Sequence, residues 1–171
     1  MTDTSRTLLL MRHSEAGHGG GGDHARTLTS GGRDDSRIAG RWIAEHVGAL
    51  DLAVVSSATR TRQTWEAATE GGAQAAAVDL SDEVYDAGLA ELLALLTHLP
   101  DEARTVLVLG HAPGIPALAR TIASKDGPRD VADALQRGFP TTTLCRFEVE
   151  GDWLDVGAAT ADLVDVVVRQ D

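Results

Sequence analysis

Cysteine, lysine and aromatic residues are scarce in this sequence, and each shortage narrows what the chain can be. Cys145 is the only cysteine, so a disulfide within the chain is impossible, and its apolar neighbours predict a buried core residue. Aromatic residues make up only 4% of a chain that is 43% hydrophobic. The core therefore has to be built mainly from leucine, valine and alanine.

Long hydrophobic runs are absent as well. No stretch of the sequence approaches the length that a membrane-spanning helix needs. The apolar run near the amino terminus is too short for a signal peptide, and no cleavage-like segment follows it. The expected compartment is therefore the cytoplasm.

Positive charge is the other scarce property. The formal net charge at pH 7 is −11, and Lys125 is the only lysine, so nearly all of the positive charge comes from arginine. A chain this acidic repels nucleic acid and anionic membranes, and we expect neither as a partner. If the ligand is an anion, a few arginines have to form a local positive pocket.

Chain length and the alternation of patterns predict the fold. A chain of 171 residues is long enough for a full core, so we expect a single domain over residues 1–171. Short apolar runs alternate with stretches of helical spacing, which predicts an α/β fold: a three-layer α/β/α sandwich around a mostly parallel sheet. The predicted strands cover residues 7–11, 52–55, 76–80 and 105–109, and the predicted helices cover 33–47, 60–70, 86–99, 115–123 and 130–136.

The carboxyl-terminal part of the chain predicts a β-hairpin, which would make the sheet mixed. Residues 144–149 and 153–159 read as two strands, and Gly151 and Asp152 between them favour a tight turn. The apolar run 164–168 stays open between a last edge strand and a tail docked on the sheet.

Basic and nucleophilic side chains follow three of the predicted strands. Arg12 and His13 follow the first strand, Arg60 comes shortly after the second, and His111 follows the strand 105–109. Parallel strands end at one edge of the sheet, where ligands bind in open α/β proteins, so these side chains should converge. Guanidinium groups pair with phosphate oxygens, and a histidine changes protonation near neutral pH. The pattern predicts an anion site with a nucleophile or an acid–base group, although the Arg–His pair alone would also suit a surface arginine and a helix-capping histidine.

Other binding motifs find little support. Residues 17–22 spell G-x-G-x-x-G, but residues 12–16 separate them from the first strand and no helical pattern follows, which favours a loop beside the pocket over a dinucleotide site. The sequence contains no G-x-x-x-x-G-K-[ST], so it has no P-loop. His13, His18 and His24 are regularly spaced, but the glycines between them fix no geometry, and a metal site has little support.

Four blocks of the sequence resemble, in the right order, the signatures of the histidine phosphatase superfamily, which has the phosphoglycerate-mutase-like fold. The first resembles the Arg–His signature that opens the family, the second S-S-x-x-R-A-x-Q-T, and the third V-x-G-H-x-P-G. A further segment is similar to the D-x-x-R-x-L-T-x-x-G pattern of the short SixA-type members, the phosphohistidine phosphatases. These blocks are LMRHSEA at 10–16, SSATRTRQT at 56–64, VLGHAPG at 108–114, and Asp23, Arg26, Leu28, Thr29 and Gly31.

The resemblance implies a role for each of four side chains. His13 would attack phosphorus and carry the phosphoryl group as a phosphohistidine. Arg12 and Arg60 would hold the phosphoryl oxygens, and a protonated His111 would add a further hydrogen-bond donor. Positioning and electrostatics supply most of the catalysis in phosphoryl transfer, so the resemblance implies no metal and no cofactor.

The resemblance also implies a substrate class. The short chain and the SixA-type segment favour protein phosphohistidine, with a small phosphomonoester as the alternative. The competing class is a non-catalytic phosphate-binding regulatory protein on the same fold. The leaving imidazole of a phosphohistidine can already be protonated, so it needs less help from a general acid than an alkoxide. The oligomeric state stays open.

Two choices stay open at the level of sequence. Arg60 and Arg62 point about 200° apart on a helix, and the family pattern, which places its arginine four residues before a threonine, favours Arg60. Asp82 or Glu83 could act as a general acid, or both could be charges at a helix start. The positions that depart from the family pattern, and that could reshape the pocket, are Trp65 and Ala112.

Overall fold

The computed structural model describes residues 4–169 and contains one mixed sheet of six strands. The strands are β1 (Ser5–Arg12), β2 (Leu50–Ser56), β3 (Ala75–Ser81), β4 (Thr105–Gly110), β5 (Leu144–Glu150) and β6 (Ala161–Val167). They lie in the order β3-β2-β4-β1-β5-β6. The helices are α1 (Ser30–His46), α2 (Thr59–Gly71), α3 (Asp82–Tyr85), α4 (Leu89–Thr97), α5 (Gly114–Ile122) and α6 (Arg129–Arg137), and short 3-10 turns lie at Asp23–Ala25 and Trp153–Asp155.

Four neighbouring strands of the sheet are parallel. β2 pairs with β3 and with β4, and β4 pairs with β1, all in the parallel direction. β5 runs antiparallel to β1, and β6 runs antiparallel to β5. The carboxyl ends of the parallel strands therefore meet at one edge, where Arg12 lies opposite Gly110. The predicted α/β fold with a mixed, mostly parallel sheet is confirmed.

Both faces of the sheet are buried, which explains why its central strands are continuous apolar runs. Leu8 and Leu10 of β1 belong to a core cluster that includes residues of α4, α5 and α6. Leu9 and Met11 point the other way, into a cluster that includes residues of α1 and α2. Side chains alternate along a strand, so a fully apolar strand needs a covering layer on each face. The molecule is the predicted three-layer sandwich.

The predicted hairpin is right in its first strand and wrong in its second. Residues 153–159 form a 3-10 turn and a loop, and β5 pairs instead with β6, so the run 164–168 lies mostly in the edge strand. Trp153 explains the misleading pattern. It is 1% exposed, and its Nε1 donates a hydrogen bond to the carbonyl of Ala103. The apolar spacing here buries one indole in the core rather than marking the face of a strand.

The helix predicted over 86–99 is shorter in the structure, where α4 covers Leu89–Thr97 and the separate short helix α3 (Asp82–Tyr85) precedes it. Gly88 precedes α4, and its N–H is capped by Oε2 of Glu91. Earlier in the chain, α1 begins at Ser30 rather than at the predicted residue 33, because Oγ1 of Thr29 accepts a hydrogen bond from the N–H of Gly32 and caps the helix. No helix within residues 4–169 is long and apolar enough to cross a membrane.

Candidate active site

The four side chains that the sequence singles out lie together at the carboxyl edge of the parallel strands. Arg12 ends β1 and His13 follows it, Arg60 lies in the first turn of α2, and His111 follows β4. The ring centroids of His13 and His111 are 5.3 Å apart. Arg12 and Arg60 lie near enough to both rings to lower the pKa of each. The fold therefore brings two guanidiniums and two imidazoles around one site.

The surroundings of His13 leave one ring nitrogen free to act as a nucleophile. The residue is 7% exposed, and its Nδ1 lies 2.7 Å from the carbonyl oxygen of Ser14. A carbonyl only accepts, so Nδ1 carries the hydrogen and Nε2 keeps its lone pair. Burial, assisted by Arg60 and Arg12, lowers the pKa of His13 to about 4 against the opposing effect of the Ser14 bond. The ring is therefore neutral at neutral pH.

Several hydrogen bonds hold Ser14 in place, and they thereby fix its carbonyl, which orients the ring of His13. Its N–H donates to Oγ1 of Thr64 at 3.0 Å, and its hydroxyl accepts a hydrogen bond from Thr142 at 2.8 Å. Thr142 has a φ of 69°, a strained conformation for a β-branched residue, and its N–H donates to the carbonyl of His13. The sequence gives no signal for Thr142, whereas Thr64 lies in one of the family blocks.

In the ligand-free site the neutral form of His111 is favoured, and the protonated donor that the resemblance implies stays a prediction for the phosphate-bound site. Burial, followed by the charges of Arg60 and His13, lowers the pKa of His111 to about 3. Its Nε2 lies 2.7 Å from Oγ of Ser56, the last residue of β2. A phosphate dianion beside the ring would raise this pKa, because an opposite charge favours the protonated form.

Three buried side-chain nitrogens at this edge of the sheet lack a hydrogen-bond partner within residues 4–169. They are Nε of Arg12, Nε of Arg60 and Nδ1 of His111. A buried polar group left unpaired costs about 1–3 kcal/mol, and the two guanidinium nitrogens are donors, so the site favours a ligand with acceptor oxygens. The other end of the first guanidinium is anchored, because Nη1 of Arg12 donates to the carbonyl of Phe139 at 2.9 Å. The arrangement suits a small oxyanion.

A carboxylate and a phenol adjoin the site, and the sequence assigns neither of them a role. Oδ2 of Asp23 accepts hydrogen bonds from the hydroxyl of Tyr85 at 2.6 Å and from Nη2 of Arg60 at 3.1 Å. The backbone carbonyl of Asp23 accepts a further bond from Nη1 of Arg60 at 2.8 Å. The Tyr85 bond, with Arg60 nearby, lowers the pKa of Asp23 to about 2, and the same bond raises the pKa of Tyr85. Asp23 belongs to the SixA-type segment, but Tyr85 has no signal in the sequence.

Residues 17–22 form a loop beside this site. Arg26 ties the base of the loop by donating from Nε to the carbonyl of Gly17 at 2.9 Å. The 3-10 turn Asp23–Ala25 follows and carries Asp23 to Arg60. Within the part of the chain that the structure describes, no group of three or more His, Cys, Asp or Glu side chains could hold a metal ion.

Comparison with known proteins assigns the family. No family model matches the sequence. A solved structure from Nakamurella multipartitia, assigned as a phosphohistidine phosphatase SixA, is 38% identical, and the match covers 96% of each chain with a TM-score of 0.82. The phosphohistidine phosphatase SixA of Escherichia coli (strain K12) is 27% identical over 123 residues, which cover 71% of this chain and 76% of that protein. The chain belongs to the histidine phosphatase superfamily.

Within the superfamily, the chain is a phosphatase of the SixA type, because the relatives at 38% and 27% identity are both SixA proteins. The phosphoglycerate mutase of Plasmodium falciparum shares only 13% of its residues with this chain, yet it covers 95% of it, and 90% of that protein, with a TM-score of 0.59. This likeness is one of fold, and it confirms the phosphoglycerate-mutase-like architecture that the sequence blocks imply.

In this histidine phosphatase, Arg60 rather than Arg62 lies at the site. Arg60 is 6% exposed, whereas Arg62 is exposed and its Nη2 donates back along α2 to Oγ1 of Thr59. Asp82 and Glu83 are exposed in the first turn of α3, where acidic side chains complement the helix N-terminus. Their position therefore supports the interpretation as charges at a helix start.

The two departures from the family pattern lie in different surroundings. Trp65 is 8% exposed and belongs to the core cluster between the sheet and the helices α1 and α2, so it fills the core rather than the pocket. Ala112 is exposed directly after His111, at the site itself. Of the two, only Ala112 is placed to change which substrates the pocket accepts.

Proposed function

We propose that this chain is a metal-independent phosphatase that forms a covalent phosphohistidine on His13 and acts on protein phosphohistidine. The observation that carries the proposal is the hydrogen bond between Nδ1 of His13 and the carbonyl of Ser14, at 2.7 Å. Because this bond places the hydrogen on Nδ1, Nε2 keeps a free lone pair. The buried, unpaired Nε atoms of Arg12 and Arg60 lie at the same site and favour the binding of phosphoryl oxygens.

The first step transfers the phosphoryl group to the enzyme. The lone pair of His13 Nε2 forms a bond to phosphorus while the bond to the leaving atom breaks, and its electron pair goes to the leaving atom. Arg12 and Arg60 hold the non-bridging oxygens as charge spreads over them, and losing one such donor costs about 3–4 kcal/mol of transition-state stabilisation. Nδ1 keeps its hydrogen throughout this step. The hydrogen bond that it donates to the Ser14 carbonyl stabilises the phosphorylated, cationic ring.

The second step releases phosphate. A water oxygen attacks phosphorus, the bond from phosphorus to Nε2 breaks, and its electron pair returns to Nε2. Both protons of the water leave with the product as dihydrogen phosphate. His13 is restored as the neutral tautomer that its hydrogen bond to Ser14 favours.

Phosphohistidine is the proposed substrate on two grounds. The related protein of Escherichia coli is a phosphohistidine phosphatase by name. A phosphohistidine whose second ring nitrogen is protonated loses a neutral imidazole, so the reaction needs no general acid at the leaving atom. Neither Asp82 nor Glu83 is then required. The cytoplasm stays the predicted compartment, and a small phosphomonoester stays the alternative substrate.

Hydrolysis of p-nitrophenyl phosphate tests the nucleophile and the metal independence together. We expect turnover that EDTA leaves unchanged and that His13→Ala reduces by about a thousandfold or more, because the nucleophile is lost. His98→Ala is the matched control, since His98 is exposed at the end of α4 and should turn over at the wild-type rate. Full activity in His13→Ala, or a loss with EDTA that added metal restores, would refute the proposal.

A further inference from the structure

A row of four rings leads from the nucleophile to the protein surface. The centroid of His13 lies 5.3 Å from that of His111, which lies 5.6 Å from that of Tyr85. Tyr85 in turn lies 4.8 Å from His24, and the contacts on both sides of Tyr85 are edge-to-face. His13 is buried, His111 and Tyr85 are half-buried, and His24 is exposed. The row therefore has a buried end at the proposed nucleophile and an open end that faces solvent.

Asp23 lies beside the middle of this row and makes the site less positive. Its Oδ2 accepts hydrogen bonds from Tyr85 and Arg60, and its Oδ1 accepts a longer one from Nη1 of Arg26 at 3.3 Å. Its side chain is still 56% exposed, so it can also face a ligand. In a phosphate site such a carboxylate competes for the guanidinium and repels a dianion. A ligand that carries a positive charge next to its phosphate would turn this carboxylate into a favourable contact.

A phosphohistidine meets this requirement, whereas the phosphate ester of a neutral alcohol does not. The ring nitrogen that is not bonded to phosphorus can carry a hydrogen, which makes the ring a flat cation. Flat cations pack against aromatic side chains, and an N–H of a cation forms a strong hydrogen bond with a carboxylate. The row of rings and Asp23 together offer both kinds of contact.

We propose that Asp23 accepts a hydrogen bond from the leaving imidazole of the substrate, and that Tyr85 and His24 form the wall along which that ring lies. The inference rests on the proposed function and names the residues by which the site selects a phosphohistidine. Tyr85 also acts as a positioning residue, because its hydroxyl holds the Asp23 carboxylate at 2.6 Å.

This arrangement explains how the leaving group departs. When the bond between phosphorus and the ring nitrogen breaks, the electron pair goes to that nitrogen. The ring, bound as a cation, leaves as a neutral imidazole that keeps its hydrogen on the nitrogen facing Asp23, so no proton moves to the enzyme. An alkoxide would need a proton at the leaving oxygen, which an ionised carboxylate cannot donate. Alcohol esters are therefore poor substrates.

The test compares two substrates in the wild type and in Asp23→Asn: a histidine-phosphorylated peptide and p-nitrophenyl phosphate. We expect both kcat/KM values to fall in Asp23→Asn, because Arg60 loses a charged partner. The kcat/KM for the peptide divided by that for the aryl phosphate should also fall about tenfold, because only the peptide loses a charge-assisted hydrogen bond. Tyr85→Phe should lower the same ratio by a smaller factor. Asp101→Asn, an exposed carboxylate in the turn before β4 at the opposite end of the sheet, should leave the ratio unchanged.

The outcomes separate this inference from the function on which it rests. Equal losses on both substrates in Asp23→Asn would show that Asp23 only positions Arg60, and would overturn the inference alone. A wild-type enzyme that hydrolyses the aryl phosphate but not the peptide would refute the phosphohistidine specificity and the inference with it. If Asp23→Asn fails to fold, Tyr85→Phe decides the question, because it leaves the carboxylate in place.

Discussion

Burial keeps both histidines of the site neutral far below the pH at which an exposed histidine becomes charged. The pKa is about 4 for His13 and about 3 for His111, against an ordinary value of about 6.5. The unfolded chain therefore binds more protons than the folded protein between those values. It follows that the free energy of unfolding rises with pH from about 4 to about 6.5.

An NMR titration of the imidazole signals checks this directly. We expect His13 and His111 to stay neutral at about pH 5.5 in the phosphate-free protein, because burial penalises their charged forms. Urea unfolding of His111→Asn should show a weaker dependence on pH over the same range. A titration midpoint above about 6 for either ring would contradict the account of the site.

Thr64 ties Ser14, which follows the proposed nucleophile, to α2. Its Oγ1 accepts from the N–H of Ser14 and donates to the carbonyl of Arg60. Thr64→Val keeps the shape but leaves a buried N–H unpaired, so we expect a loss of about 1–3 kcal/mol in the free energy of unfolding and a lower kcat.

The matched control for this change is Thr69→Val on the same helix. Thr69 is exposed and its hydroxyl donates to the carbonyl of Glu66, so its loss should change stability by less than about 0.5 kcal/mol. Urea unfolding curves and turnover of an aryl phosphate measure both effects. Equal stability of the two variants would argue against the anchoring role of Thr64.

At the scale of elements, α1 approaches the backbone of Glu15, two residues after His13, closely enough to exclude a side chain. A Cβ at Gly32 would overlap the carbonyl oxygen of Glu15, whereas at Gly31 the nearest atom is 3.9 Å away. Gly32→Ala should therefore cost about 1–3 kcal/mol of stability and reduce turnover, because residues next to His13 have to move.

Gly31→Ala makes the same change one position earlier in the same helix. It should be neutral or should stabilise by up to about 1 kcal/mol, because alanine favours the helix and the space is open. Urea midpoints of the two variants give the comparison. A Gly32→Ala variant as stable as Gly31→Ala would contradict the close approach of α1 to Glu15.

Elements could be predicted from the sequence where burial leaves one pattern possible. Residues 106–109 are all apolar because β4 is covered on both faces, and the strand predicted over 105–109 matches Thr105–Gly110 closely. The pattern fails at 153–159, where Trp153 fills the core from a 3-10 turn and so imitates a strand. Local spacing reports that a side chain is buried, but not which element buries it.

At the scale of the whole molecule, two arginines converge at the site of a protein whose net charge is −11. Like charges repel one another, and salt screens them over about 10 Å at 0.1 M. We expect added NaCl to raise the melting temperature, and a gain of about 1 kcal/mol would correspond to about 2–4 °C. A melting temperature that falls with NaCl would show that exposed ion pairs such as Arg37–Glu70 outweigh the repulsion.

Inorganic phosphate distinguishes specific binding at the site from the general effect of salt on charge repulsion. At equal ionic strength it should raise the melting temperature more than NaCl, because a ligand that binds only the folded state stabilises it. Arg60→Gln should remove that difference, since the guanidinium is a main phosphate contact in the proposed site. An undiminished difference in Arg60→Gln would place the phosphate elsewhere.

The convergence of His13 and His111 could be predicted because both follow strands that the sequence marks as parallel. The contacts around them could not. Asp23 and Tyr85 are 62 residues apart, and each comes from a segment without a strand end. Ser14 and Thr142 are 128 residues apart, and their bond depends on how β5 returns beside β1. Such contacts follow from tertiary packing, which no local pattern encodes.

Trapping the phosphorylated enzyme tests the central claim most directly. Wild-type protein is mixed with a ³²P-labelled histidine-phosphorylated peptide, quenched within milliseconds and digested. The account predicts a label that is stable in alkali and lost in acid, located on the fragment that contains His13 and absent from His13→Ala. Turnover without any protein-bound label, or a label on another residue, would contradict it.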